Sequence, residues 1–155
     1  MTSQLLFLHS IIRYLILLFA LIVSLQSLIS FMGKKPLKKS NKAMALVLLI
    51  CCDIQLLIGL VLYSTKGWLS ALTAGGGLMK NPVSRFWAVE HGVGMVVAIV
   101  LVHMGYTFLK RKMDDDVKLK RLFWCAFIAL AIFVTMTPWE GKQAVGRSNI
   151  PTMHE

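Results

Sequence analysis

Four apolar stretches, near Leu5 to Met32, Ala43 to Ser64, Val83 to Leu109 and Leu122 to Pro138, set the terms on which this chain can fold. A helix crosses a hydrocarbon layer of about 30 Å with about 20 residues, so each stretch is long enough to span. Lipid supplies no hydrogen bonds to a backbone, so such stretches are expected as helices, whose bonds are internal. A mean hydropathy of +0.70 and a hydrophobic content of 57% exclude a soluble domain of ordinary composition. The sequence therefore predicts an all-α integral membrane protein. Residues 1–138 are expected to form an up-down four-helix bundle, and residues 139–155 a polar C-terminal tail.

The formal net charge of +10 is unevenly placed. Lys34, Lys35, Lys38, Lys39 and Lys42 fill one short loop, and Lys110, Arg111, Lys112, Lys118, Lys120 and Arg121 fill another. The connection between the second and third stretches holds only Lys66 and Lys80 before Arg85. Basic loops stay on the cytoplasmic side, which puts that connection, both termini and the tail on the outer side. Cations beside anionic headgroups account for the charge, so nucleic acid is not an expected partner.

The first apolar run begins almost at Met1, with no basic leader and no small-residue cleavage site, and is expected to remain as the first helix. Cys51, Cys52 and Cys125 lie within predicted spans without a CxxCH or CxxC pattern, as packing residues do. The connection from Thr65 to Pro82 carries Trp68, Leu69, Leu72 and the Gly75-Gly76-Gly77 run; it reads as a connector anchored at the interface by Trp68. After Trp139 the tail is polar, with glycine and proline, and is expected to take structure only on a partner.

Helix, basic loop and helix occur twice, with His9 and His91 at matching points near the outer end of the first and third helices. In an up-down bundle those helices are diagonal, so a central ligand can be gripped from both sides. An ionisable ring inside an apolar run is costly and reads as functional. His9 and Arg13 are four apart and share a helix face. Asp53 is the expected counter-ion of Arg13, and Glu90 the expected partner of Arg13 or of a ligand histidine. Gly92 and Gly94 remove bulk beside His91, for a flat ligand or for another helix. His103 lies about 18 Å down the helix from His91 and is expected to be structural or interfacial.

Two imidazoles facing each other suit axial coordination of a haem b, with Arg13 or Arg85 beside a propionate and Met95 as a softer substitute ligand. Two alternatives remain. The histidines and carboxylates can instead fix helix packing through hydrogen bonds. His9, His91, Asp53 and Glu90 can hold zinc, iron or manganese, although no HExxH or Glu-x-x-His spacing supports that set. No arrangement of nucleophile and base points to a hydrolase.

At HSIIRYLILL, DIQLLIGLVLY, NPVSRFWAVEHGVGMVVAIVLVHMGY and the closing TPW, the chain resembles small four-helix bacterial membrane proteins described as cytochrome b-like. The resemblance runs nearly to Trp139. It implies a haem held by His9 and His91 with Arg13 and Arg85 as associated polar positions, in a bacterial inner membrane. The two-histidines-per-helix pattern of large respiratory cytochromes b is absent, which argues against a two-haem wire across the bilayer. The function expected is electron transfer near the outer face, with quinone or a redox protein as partner. The alternative is a non-catalytic accessory subunit of a larger membrane complex.

Overall fold

The computed structural model describes residues 2–73, 77–142 and 145–147, and among them every regular element is helical. Four long helices, α1 (Thr2–Met32), α2 (Lys39–Thr65), α4 (Pro82–Lys110) and α5 (Asp115–Met136), are long and apolar enough to cross a membrane. A short helix, α3 (Trp68–Thr73), and a single turn at Leu78–Lys80 occupy the connection expected to be plain. Gly77 opens that turn at φ 66°, while Gly75 and Gly76 of the glycine run lie outside the described residues.

The helix ends follow local chemistry. The α1 terminus closes as Lys35 N–H reaches the Ser30 carbonyl at 2.9 Å, with Lys34 left-handed at φ 49° between them. The Asn41 side chain accepts the Lys38 N–H at 3.1 Å and ties down the start of α2. At the head of α4 the Asn81 side-chain Oδ1 accepts from Val83 and Ser84 N–H at 3.0 and 3.1 Å, and Pro82 takes the first position, where its missing donor costs nothing. Both α2 and α5 start earlier than their apolar stretches, at Lys39 rather than Ala43 and at Asp115 rather than Leu122. Hydropathy marks the segment suited to lipid, whereas a helix with satisfied ends continues through charged residues. At the far end α5 stops at Met136, two residues before Pro138, which cannot donate to a further turn.

Packing makes a four-sided helical bundle: α1 lies against α2 and α5, and α4 lies against the same two, so α1 and α4 are diagonal. Its core is built largely from small side chains, among them Ala20, Ala45, Cys52, Ala98 and Ala129, each almost fully buried. Small residues let helix backbones approach closely. At Gly105 an added Cβ would stand 3.1 Å from Cys125 Cβ, so glycine is what the α4–α5 contact requires there. The three cysteines are unpaired; Cys52 and Cys125 are buried. Large apolar side chains point outward instead, including Ile29, Leu57, Leu60 and Val93, each more than half exposed. An apolar exterior around a small-residue core is the inverse of a water-soluble bundle.

One end of the bundle carries both lysine-rich loops, which are tied together where the Leu37 N–H donates to Asp115 Oδ2 at 2.9 Å. The opposite end gathers the starts of α1 and α4 and the ends of α2 and α5. There the Gln55 amide donates to the His9 carbonyl at 2.8 Å, and the Tyr63 hydroxyl to the Ala88 carbonyl at 2.7 Å. Residues of the tail also fold back here: Trp139 Nε1 donates to the Val134 carbonyl and Lys142 Nζ to the Thr135 carbonyl. This differs from a tail structured only on a partner. Its cause is that α5 ends with carbonyls that need donors, and the tail supplies them. His154 lies outside the described residues.

Candidate functional site

Between the four helices at this second end lies a cavity of about 540 Å³. His9 and Arg13 enter it from α1, Gln55 and Gly59 from α2, and His91 and Gly92 from α4, while Trp68 and Leu72 of α3 cover its side. A volume of this size lies within the usual range for sites that enclose a cofactor or a small molecule, about 300–1,000 Å³.

The position of His91 is set by an irregularity in α4. From Phe86 to Glu90 the helix widens into a π turn, so that the His91 N–H reaches back to the Phe86 carbonyl. A π turn brings residues five apart onto one face and is common at functional sites. Two consequences follow from it. Phe86 and Trp87 rings both lie against His91, with centroids 5.8 and 5.7 Å away. Arg85 Nε also donates to Glu90 Oε1 at 2.6 Å across the same five-residue interval.

The His91 ring is fixed from the other side as well. Its Nδ1 lies 2.9 Å from the Met136 carbonyl, an acceptor, so Nδ1 carries the proton and Nε2 keeps its lone pair. That is the arrangement expected of a ligand histidine, whose second nitrogen is held by a carbonyl. His9 is held differently. Its ring makes no hydrogen bond, its Nδ1 is buried, and its Cε1 edge packs where a Cβ at Gly59 would come within 3.4 Å.

Among the described residues, three buried polar atoms on the lining of this cavity have no partner: His9 Nδ1, Arg13 Nε and Gln55 Oε1. Each such atom left unsatisfied costs about 1–3 kcal/mol, and native proteins keep few of them. Arg13 spends only part of its donor capacity, with one bond to the Tyr14 hydroxyl at 3.0 Å and a stacking contact 4.6 Å from the same ring. Its guanidinium also lies 5.8 Å from the Trp139 ring. Among the described residues no carboxylate pairs with it.

Both expected counter-ions of Arg13 are engaged elsewhere. Asp53 Oδ1 lies 3.2 Å from His103 Nε2, because Asp53 occupies the side of α2 that turns to α4 and away from α1. Glu90 is drawn back to Arg85 by the π turn. His103 Nδ1 is bonded to the Ile99 carbonyl at 3.0 Å, so both of its nitrogens have partners. The proposed cofactor-binding positions therefore separate. His9, His91, Arg13 and Gly92 line one cavity, whereas Arg85 and Gly94 do not. Nothing lies within 4 Å of a Cβ built at Gly92, but one at Gly94 would stand 2.6 Å from Met136 Cγ. Gly92 leaves room in the cavity, and Gly94 admits the neighbouring helix.

Among the described residues no group of three or more His, Cys, Asp or Glu side chains is placed to hold a metal ion. The groups that converge are two imidazoles, a guanidinium and an amide, which offer nitrogen lone pairs, N–H donors and one positive charge to the cavity. Met95 lines the same cavity. Sequence reasoning passed over Gln55 and Gly59, although the signal was present: a polar residue and a glycine four apart share one face of an otherwise apolar helix. No protein-family model, curated protein or solved structure matches the chain.

Proposed function

We propose that this chain is a b-type haem protein of a bacterial inner membrane, an up-down bundle with both termini on the outer side. His9 and His91 would hold the haem in this reading. The observation that carries it is the convergence of His9, His91 and Arg13 on one cavity, with the unused polar atoms of His9 and Arg13 buried there. Both imidazoles come from diagonal helices, so a planar group between them meets one from each side.

Each residue present has a role toward that group. The Met136 carbonyl holds the His91 ring in one tautomer and makes Nε2 the better electron donor. Arg13 offers a partly buried, planar cation to a carboxylate, the recognition for which guanidinium is best suited. Gly92 leaves the space beside His91 open, and most of the surrounding wall is apolar. When bound, haem supplies one-electron redox chemistry, and the protein supplies orientation and tuning. Electron transfer within a respiratory or other redox system is the activity this supports, with a quinone or a redox protein as partner.

The test is spectroscopic. Protein expressed with haem supplied and purified in detergent is expected to show a Soret band and a reduced-minus-oxidised difference spectrum of low-spin haem. Absence of both, from folded helical protein, would overturn the reading.

A further inference from the structure

A second concavity opens on the outside of the bundle, between α2 and α4. It has a volume of about 460 Å³ and is lined mainly by apolar side chains around the pair Asp53 and His103, with Thr107 and Arg111 on the side towards the end of α4. Both members are almost half exposed, at 46% and 45%, Asp53 near the middle of α2 and His103 two turns before the end of α4. In a spanning chain that places a carboxylate and an imidazole on a lipid-facing surface, where an ionisable group is costly unless it is paired. Val96, Val100 and Met104 flank the pair.

The hydrogen-bond inventory of the pair is specific. His103 Nδ1 faces the Ile99 carbonyl and donates to it, so the 3.2 Å contact between Nε2 and Asp53 Oδ1 is held by one shared proton. Among the described residues the second carboxylate oxygen of Asp53 has no partner. The pair therefore offers an acceptor and a proton side by side, in a site reached from the membrane. Leu56, Val96 and Ile99 line both this groove and the histidine cavity, so the two are separated by a wall one side chain thick.

We propose that this groove binds a lipid-soluble ring bearing hydroxyl or carbonyl oxygens, the quinol–quinone class, with its oxygen on the Asp53–His103 pair. A quinol hydroxyl donates to the second Asp53 oxygen, while the His103 contact holds the carboxylate in place. The ring packs on Val96, Val100 and Met104, and the tail leaves into the bilayer. The proposal rests on the redox reading above for its biological meaning and names the substrate class of that reading, but its test uses no haem.

The experiment is photoaffinity labelling in phosphatidylcholine nanodiscs with an azido-naphthoquinone carrying a short prenyl tail, followed by peptide mass mapping. Label is expected on the segments around Asp53 and from Val96 to Arg111, and a hundredfold excess of unlabelled naphthoquinone is expected to compete it away. Replacing both Asp53 and His103 by Leu is expected to lower competable label at least tenfold while the fold is retained, because leucine suits a lipid-facing site. His9→Ala protein without haem is expected to label like the parent, so failure of the haem reading and failure of this proposal are distinguishable. Label spread without competition, label confined to the histidine cavity, or unchanged label in the double-Leu variant would each overturn it. So would a disulfide between two copies carrying Val100→Cys, accompanied by loss of label, since a second copy would then fill the groove.

Discussion

Gly92 and Gly94 look equivalent in sequence, yet the structure gives them opposite tolerances, and alanine at each separates them. A Cβ at Gly94 would lie 2.6 Å from Met136 Cγ and 3.1 Å from its Sδ. Carbon atoms rest at about 3.5–4.0 Å, so Met136 or α4 must recede by about 1 Å. Methionine adapts well at its tip. The clash, however, falls at Cγ, close to a backbone whose carbonyl holds His91. Overpacking of this kind costs about 1–3 kcal/mol. Alanine at Gly92 meets nothing within 4 Å. Both substitutions gain the same helix propensity, about 1 kcal/mol, which cancels when the variants are compared with each other. Gly94→Ala is therefore expected to be less stable than Gly92→Ala by about 1–3 kcal/mol. Reversible unfolding in mixed micelles by SDS titration, followed by circular dichroism, measures the difference. If Gly94→Ala is as stable as Gly92→Ala or more so, the α4–α5 packing described here is wrong.

Three further outcomes are expected. Tyr63→Phe removes the bond to the Ala88 carbonyl and should cost about 0.5–1.5 kcal/mol by the same unfolding assay, with no change expected if the π turn does not depend on that bond. On a background without native cysteines, Cys at Ser40 or Lys112 should react with an impermeant maleimide only from the cytoplasmic side, and Cys at Ser70 or Lys80 only from outside; the reverse pattern would contradict the orientation. Arg13→Gln should leave a six-coordinate haem spectrum in place but weaken haem retention and shift its potential, because it removes a cation and no iron ligand; an unchanged potential would remove Arg13 from the site.

The four long helices were legible because their apolar stretches exceed what any soluble core needs, and the diagonal placement of His9 and His91 follows from helix order once short loops are assumed. Charge pairing was not legible. Asp53 stands near the depth of Arg13, and depth alone suggested an ion pair, but the side of α2 on which a residue emerges depends on how the helix is rotated in the bundle. Hydropathy that is nearly uniform around each helix carries little information about rotation. The π turn was equally hidden, since FWAVE has no proline or glycine to announce it, and it redirects Glu90 to Arg85. Gln55 and Gly59 could have been found by asking which helix face interrupts its own apolar character. The tail at Trp139–Lys142 was misread because polarity was taken as lack of structure, when its donors cap the end of α5.

The central claim is that His9 and His91, and not His103, hold a haem. Low-temperature electron paramagnetic resonance of the oxidised protein tests it most directly, run side by side on the parent and on His9→Ala, His91→Ala and His103→Ala at equal protein. The account predicts a low-spin bis-histidine signal in the parent and in His103→Ala, and its loss in both of the others. It is contradicted if His9→Ala and His91→Ala keep the parent's signal, or if His103→Ala alone loses it.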